Sequence, residues 1–126
     1  MNTEHGESFI TVDDDIIIVE VIGSFNSEGV SKSIENLKAA IDGFGENEFK
    51  LLFDYTNAEG GTPEVFEKIN ECNVWLNSKN MTAKALAIKS ETILEILESR
   101  TPARKSQHSK NFGNKASALV WLKSQS

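Results

Sequence analysis

The chain predicts an α/β fold, with a mainly parallel five-stranded sheet, an antiparallel N-terminal edge strand and about four helices. Three features lead there. Short runs rich in β-branched residues alternate with amphipathic stretches of helical period, the order that crossover helices and parallel strands require. Two strand-like runs at the start are separated only by an Asp triplet, which is the length of a hairpin turn. Strand ends run repeatedly into helix starts, most clearly over Leu51–Lys68. In open α/β sheets, ligands and partners bind at such junctions.

Each element follows from its residues. Ser8–Val12 is a short strand, Asp13-Asp14-Asp15 a turn, and Ile16–Ile22 the strongest strand of the chain. The Asp triplet lacks the glycine and distal glutamate of a calcium loop, so it reads as turn chemistry. Gly23-Ser24-Phe25-Asn26 breaks the strand, and a helix follows from Ser27 to Asp42. Val30, Ile34, Leu37 and Ile41 share one face of it, Phe44 extends the row, and Gly43 stops the helix.

The strand Phe49–Tyr55 leads into a loop, Thr56–Gly61. Thr62 is placed as an N-cap, Pro63 at the first helical position and Glu64 where the helix dipole favours it. Val65, Phe66, Ile69, Cys72 and Leu76 form the buried stripe, with Trp75 at its margin and Val74 opposite. Ala83–Ile88 is the next strand, and Ser90 caps a helix over Glu91–Arg100 that ends at Thr101-Pro102. Ala103–Lys110 is polar, basic and poorly patterned, and is expected to be mobile. Ser109–Phe112 is a short last strand. Asn114 or Ser117 starts a final helix with Ala116, Leu119, Val120 and Leu122 inward and Trp121 at the margin.

Composition bounds the function. The length suits one domain, residues 1–126, with a single core. No apolar run approaches the roughly 20 residues of a membrane span. The polar N-terminus is unlike a signal peptide, so a soluble, cytoplasmic protein is expected. Cys72 stands alone, which excludes a disulfide framework and a thiolate zinc site. The net charge of -6 argues against nucleic-acid binding. The charge is uneven, with 5 Lys against 16 acidic residues up to Ala83 and 8 Lys plus Arg against 3 Glu thereafter. The basic end is a candidate surface for an acidic partner, an anionic ligand, a membrane surface or another copy's acidic half.

Several residues and their order resemble the STAS domain superfamily of sulfate transporters and anti-sigma-factor antagonists, and most nearly its SpoIIAA-like stand-alone branch. The carrying residues are Val19–Asn26, a strand ending in Gly-x-apolar-Asn, then Leu51–Asp54, a strand ending in Asp, and Ala118-Leu119-Val120-Trp121-Leu122 in the final helix. The resemblance runs from about Phe9 to Leu122. It implies a binding or regulatory module without catalysis that acts through a protein partner. In anti-sigma-factor antagonists a phosphorylatable Ser follows the Asp at a helix start. Here Thr56 holds the nearest sequence position and Thr62 the matching helix start, and neither restores the Asp-Ser junction. The branch is grouped with Sec14-type (CRAL-TRIO) lipid carriers, which implies an alternative: a carrier of an apolar or anionic ligand at a membrane surface, with the third helix and Thr101–Lys110 as a lid.

The candidate ligand- or partner-binding residues are therefore Ser24, Asn26, Asp54, Thr56, Asn57, Gly61 and Thr62, with Thr56 and Thr62 the phosphorylation candidates. Val74 and Trp75 are the interface candidates, and with the charge split they predict a homodimer. No catalytic set, metal cluster or cofactor motif is present: His5 and His108 lack ligand spacing, and no phosphate-binding Lys loop or Gly-x-Ser-x-Gly elbow occurs. An enzyme, the third reading, would rest on Asp54 with Ser24 or Thr56. The glycines of Glu59-Gly60-Gly61-Thr62 can serve an anion or simply a tight loop.

Overall fold

The computed structural model describes residues 5–125. The elements are β1 (Glu7–Asp13), β2 (Ile16–Phe25), α1 (Ser27–Asp42), β3 (Phe49–Gly61), α2 (Pro63–Leu76), β4 (Met81–Ala87), α3 (Glu91–Arg100), a 3-10 helix (Pro102–Ser106), β5 (Ser109–Phe112) and α4 (Lys115–Ser124). Residues 1–4 of the polar N-terminal stretch read above lie outside the described residues, as does Ser126. Among the described residues no helix is long and apolar enough to cross a membrane.

The sheet runs β1-β2-β3-β4-β5. β1 is antiparallel to β2, and every other pairing is parallel. Asp13 pairs with Ile16, which leaves a two-residue turn whose first residue, Asp14, sits at φ 57. Asp tolerates the left-handed region that such hairpin turns demand, which explains the acidic triplet.

A monotonic strand order with right-handed crossovers puts successive connecting helices on one face. α1, α2 and α3 cover that face, and α4, which needs no crossover, covers the other. Alternation along β2 serves both layers. Ile17 and Val19 pack with Leu37, Ile41, Leu51, Cys72 and Leu76 beneath α1 and α2. Ile16 and Ile18 pack with Leu52, Ala83, Ala85, Ala87, Ala118 and Leu122 against α4. The small alanines of β4 let α4 lie close to the sheet.

Several expectations are corrected. β2 runs on through Gly23-Ser24-Phe25, and Thr56–Gly61 is strand and not a loop. Both strands continue side by side, with Ile22 paired to Asn57, Ser24 to Gly60 and Phe25 to Gly61. Register shifts between Glu20 and Ile22 and between Gly23 and Ser24 accommodate the turn-rich composition, with Gly23 at φ +85 and Gly60 at φ +109. Pairing between the two strands overrides weak local propensity.

The stretch 103–110 is not a loose segment. Asn70 and Asn73 of α2 and its C-cap Asn77, spaced along one helical face, hold it. Asn70 Oδ1 accepts from the Ala103 amide at 3.0 Å, Asn77 Nδ2 donates to the Ala103 carbonyl at 3.0 Å, and Gln107 Nε2 donates to both Asn73 Oδ1 and Asn77 Oδ1 at 3.0 Å.

α4 starts after Asn114, whose Oδ1 accepts from the Ser117 amide at 2.8 Å. That start rotates the face: Ala118 and Leu122 are buried, Leu119 and Trp121 half-buried, Ala116 exposed and Val120 71% exposed. Gly43 is right-handed at φ -63, and the left-handed turn that follows α1 falls instead at Gly45.

Candidate functional site

The sequence-predicted junction residues are gathered where β2 and β3 end, and several have structural duties there. Asp54, at the bend of β3, points at its own chain: Oδ1 accepts from Thr56 Oγ1 at 2.6 Å and from the Thr56 amide at 3.1 Å. It closes a side-chain turn that shapes the first register shift. Thr56 is thereby committed to Asp54. Ser24 lies in β2 opposite Gly60, away from this pair in register, so no Asp54–Ser24 cluster forms.

Asn26 is the N-cap of α1. Its Oδ1 accepts from the Gly29 amide at 2.9 Å and from the His5 amide at 3.1 Å, which ties the start of the chain to the helix. Asn57 is exposed on β3. Gly61 is required by contact: a Cβ there would lie 3.0 Å from Val65 Cγ1 and 3.1 Å from the Phe25 carbonyl. Thr62 precedes α2 with extended backbone but makes no side-chain cap, in contrast to the capping role expected of it. Glu64 explains why. Its carboxyl is held below the usual range first by its own backbone N–H and then by the Thr62 hydroxyl, which is thus drawn to Glu64.

The interface candidates separate. Val74 is 58% exposed, whereas Trp75 is half-buried. Lys38 Nζ and Lys79 Nζ lie 5.0 and 4.8 Å from the Trp75 ring centroid. Among the described residues no group of three or more His, Cys, Asp or Glu is placed to hold a metal ion.

A different site stands out beneath the helices. An apolar, partly open cavity of about 90 Å³ lies between the sheet and α1, α2 and α3. Val19, Val21, Phe53, Tyr55 and Leu86 form its floor. Val30, Leu37, Val65, Ile69, Ile93 and Leu97 come from the helices above. These are the inward positions of each element, so the space arises from the alternation that builds the core. Phe25, Ala58 and Gly60 of the β2–β3 extension line the same space.

Polar groups reach the cavity at one side: Lys84 of β4, Tyr55 of β3, Asn73 of α2, and Arg104 of the 3-10 helix. Lys84 is 3% exposed and, among the described residues, has no carboxylate partner. Its Nζ donates to Asn73 Oδ1 at 2.6 Å and to Gln107 Oε1 at 2.9 Å, and lies 5.5 Å from the Phe53 ring centroid. Loss of water around the ammonium, with Arg104 nearby as a second cation, lowers its pKa from 10.5 to about 7. Burial pushes the Tyr55 phenol well above its ordinary value, so it stays a neutral O–H donor. Burial lowers Arg104, opposed by Tyr55 and Glu98, and raises the Cys72 thiol. Lys84, Tyr55 and Arg104 offer donors and positive charge, and none of them carries a negative charge at neutral pH.

The sequence reading missed this cluster because its members lie far apart along the chain. Lys84 stands inside an apolar strand run and Arg104 and Gln107 in a stretch without period. The Asn70-x-x-Asn73-x-x-x-Asn77 spacing was the available signal, since a polar stripe on a helix otherwise buried needs partners.

No family model matches the chain, and no curated protein matches it. Solved structures do. An uncharacterised DUF3478-family protein of SpoIIAA-like fold from Shewanella loihica PV-4 superposes with a TM-score of 0.65 at 21% identity, covering 97% of both chains. The anti-sigma factor antagonist SpoIIAA in its unphosphorylated form superposes at 0.60 with 9% identity, covering 97% of this chain and 99% of the other. The chain therefore shares this fold. Its architecture is SpoIIAA-like over nearly the whole length, as the order of strand ends and the final helix implied.

Proposed function

We propose that this chain is a non-catalytic STAS-type binding module whose ligand is a small apolar molecule with an oxygen head group that accepts hydrogen bonds. The observation that carries this reading is the cavity of about 90 Å³, apolar over most of its wall and lined on one side by Lys84, Tyr55 and Arg104. Ligand sites are typically concave and apolar with a few convergent polar groups. A head-group oxygen there can accept from Tyr55 and Arg104, and from Lys84 when the amine is protonated.

Volume limits the body of the ligand. A cavity of roughly 150 Å³ holds benzene, so by proportion this one encloses about four carbons. A longer chain extends through the open side. A carrier of this kind fits the ligand-binding expectation, with α3 and the 3-10 helix supplying Ile93, Leu97 and Arg104 to the wall.

The test is an NMR titration with butanol and butanoate. Amide shifts concentrated on Phe53, Tyr55, Ile69 and Leu86 are expected. Shifts scattered over the surface, or none at saturating probe, would overturn the reading.

A second reading, regulation through a protein partner, is supported by the likeness to an anti-sigma factor antagonist. The Asp54–Thr56 lock and the exposed Thr62 beside Glu64 speak against a phosphate switch at that junction. Affinity capture with Val74→Glu as control tests it: a partner lost on that substitution supports the reading, and one retained moves the contact elsewhere.

A further inference from the structure

We propose that Lys84 is a reactive amine that captures an aldehyde in the cavity as a reversible imine. The inference rests on the ligand-binding reading above and names the class of ligand.

Four observations converge on Lys84. First, Lys84 lines the cavity, and so does Phe53, whose ring centroid lies 5.5 Å from Lys84 Nζ. Second, its two hydrogen-bond partners, Asn73 Oδ1 and Gln107 Oε1, are both amide oxygens. A neutral amine has two N–H bonds, and these two acceptors use both, which leaves the lone pair directed away from them. Third, the acceptors are themselves fixed. Asn73 Nδ2 donates to the Ile69 carbonyl at 2.9 Å, and Gln107 Nε2 donates to Asn73 and Asn77. Fourth, no carboxylate holds the amine protonated, and the neighbouring charge, Arg104, is of the same sign. Buried lysines without a counter-charge are the ones that serve as amine nucleophiles.

The chemistry balances without a further reagent. The Nζ lone pair forms a bond to the carbonyl carbon, and the C=O π pair moves to oxygen. A proton passes from nitrogen to that oxygen, giving a carbinolamine. The nitrogen lone pair then forms C=N as the hydroxyl departs with a proton as water. Nothing is oxidised or reduced. Tyr55, protonated and lining the same cavity, is the O–H donor available to the carbonyl oxygen.

The other buried nucleophile, Cys72, does not compete, because burial raises its thiol. Lys50, the other buried lysine, is paired with Asp15 at 3.3 Å on the opposite face of the sheet from the cavity.

The experiment is limiting butanal with cyanoborohydride at pH 7, followed by peptide mapping, with butanol binding followed in parallel. At that pH an exposed lysine is neutral to about one part in 10³ or less, whereas Lys84 is about half neutral. Even with slowed access, butylation at Lys84 is expected at least about tenfold ahead of the exposed lysines. Gln107→Glu sets a carboxylate beside Nζ from a residue outside the cavity wall, so trapping at Lys84 should fall at least about tenfold while butanol still binds. Butanol binding without preferential trapping at Lys84, or trapping unchanged in Gln107→Glu, would overturn the imine and leave the cavity reading standing. Neither binding nor trapping would overturn both.

Discussion

Replacing Lys84 by Met should make the protein more stable at pH 6 and leave it nearly unchanged at pH 9. The ammonium of Lys84 has its pKa lowered from 10.5 to about 7 because it is cut off from water. Between those values the unfolded chain holds a proton that the folded chain has released. Stability therefore rises with pH across that window, since the unfolded state binds more protons there. Below pH 7 both states are charged and the full penalty applies, about 5 kcal/mol at ~1.4 kcal/mol per unit. By pH 9 about 2 kcal/mol of it remains. Met carries no charge and a similar length, so it removes this term. It also strips Gln107 Oε1 of its Lys84 donor, at about 1–3 kcal/mol for an unpaired buried acceptor. The balance is a gain of about 2–4 kcal/mol at pH 6 and close to zero at pH 9. Urea denaturation of both proteins across this range reads it directly, and other titrating groups cancel in the comparison. A difference that stays flat within about 1 kcal/mol from pH 6 to 9 would refute the reasoning.

Three further outcomes follow from local contacts. Asn26→Ala removes the cap of α1 and its tie to the His5 amide, and should lower stability by about 1–2 kcal/mol in denaturant melts. Asp54→Ala removes both hydrogen bonds to Thr56, and should cost about 1–3 kcal/mol while leaving butanol binding in place, since Asp54 is absent from the cavity wall. Cys72, buried and with its thiol raised, should react with an aromatic disulfide reagent only at the rate of unfolding, so that denaturant accelerates labelling sharply.

The fold was legible because its determinants are local. Ile16–Val19 and Leu51–Phe53 declare strands by composition, and Val30, Ile34, Leu37 and Ile41 declare a helix by period. The class, the antiparallel edge and the helix starts at Ser27 and after Ser90 all depend on neighbours a few residues apart. The extension of β2 and β3 was not legible. Gly23, Gly60 and Gly61 read as loop residues, and only their mutual pairing makes them strand. The same holds for 103–110, whose order comes from Asn70, Asn73 and Asn77, some thirty residues earlier in the chain.

The site was hidden for the same physical reason. Asp54 and Thr56 carry the residue types of a reactive pair but satisfy each other. Lys84 falls within the strand run Ala83–Ile88, and alternation along that strand turns it inward, onto the face shared with Leu86 and Ile88. A lysine on the buried face of a central strand is the signal that a sequence search for acid–base sets passes over. Its meaning depended on whether an acid lay across from it, and here amide oxygens do.

Native mass spectrometry of the protein purified from its own cells, compared with a Val30→Phe variant that fills the cavity, tests most directly whether the space beneath the helices is a ligand site. An added discrete mass on the folded wild type that is absent from the filled variant is the predicted result. A bare wild-type mass that stays bare after incubation with butanol, butanoate and butanal would contradict it.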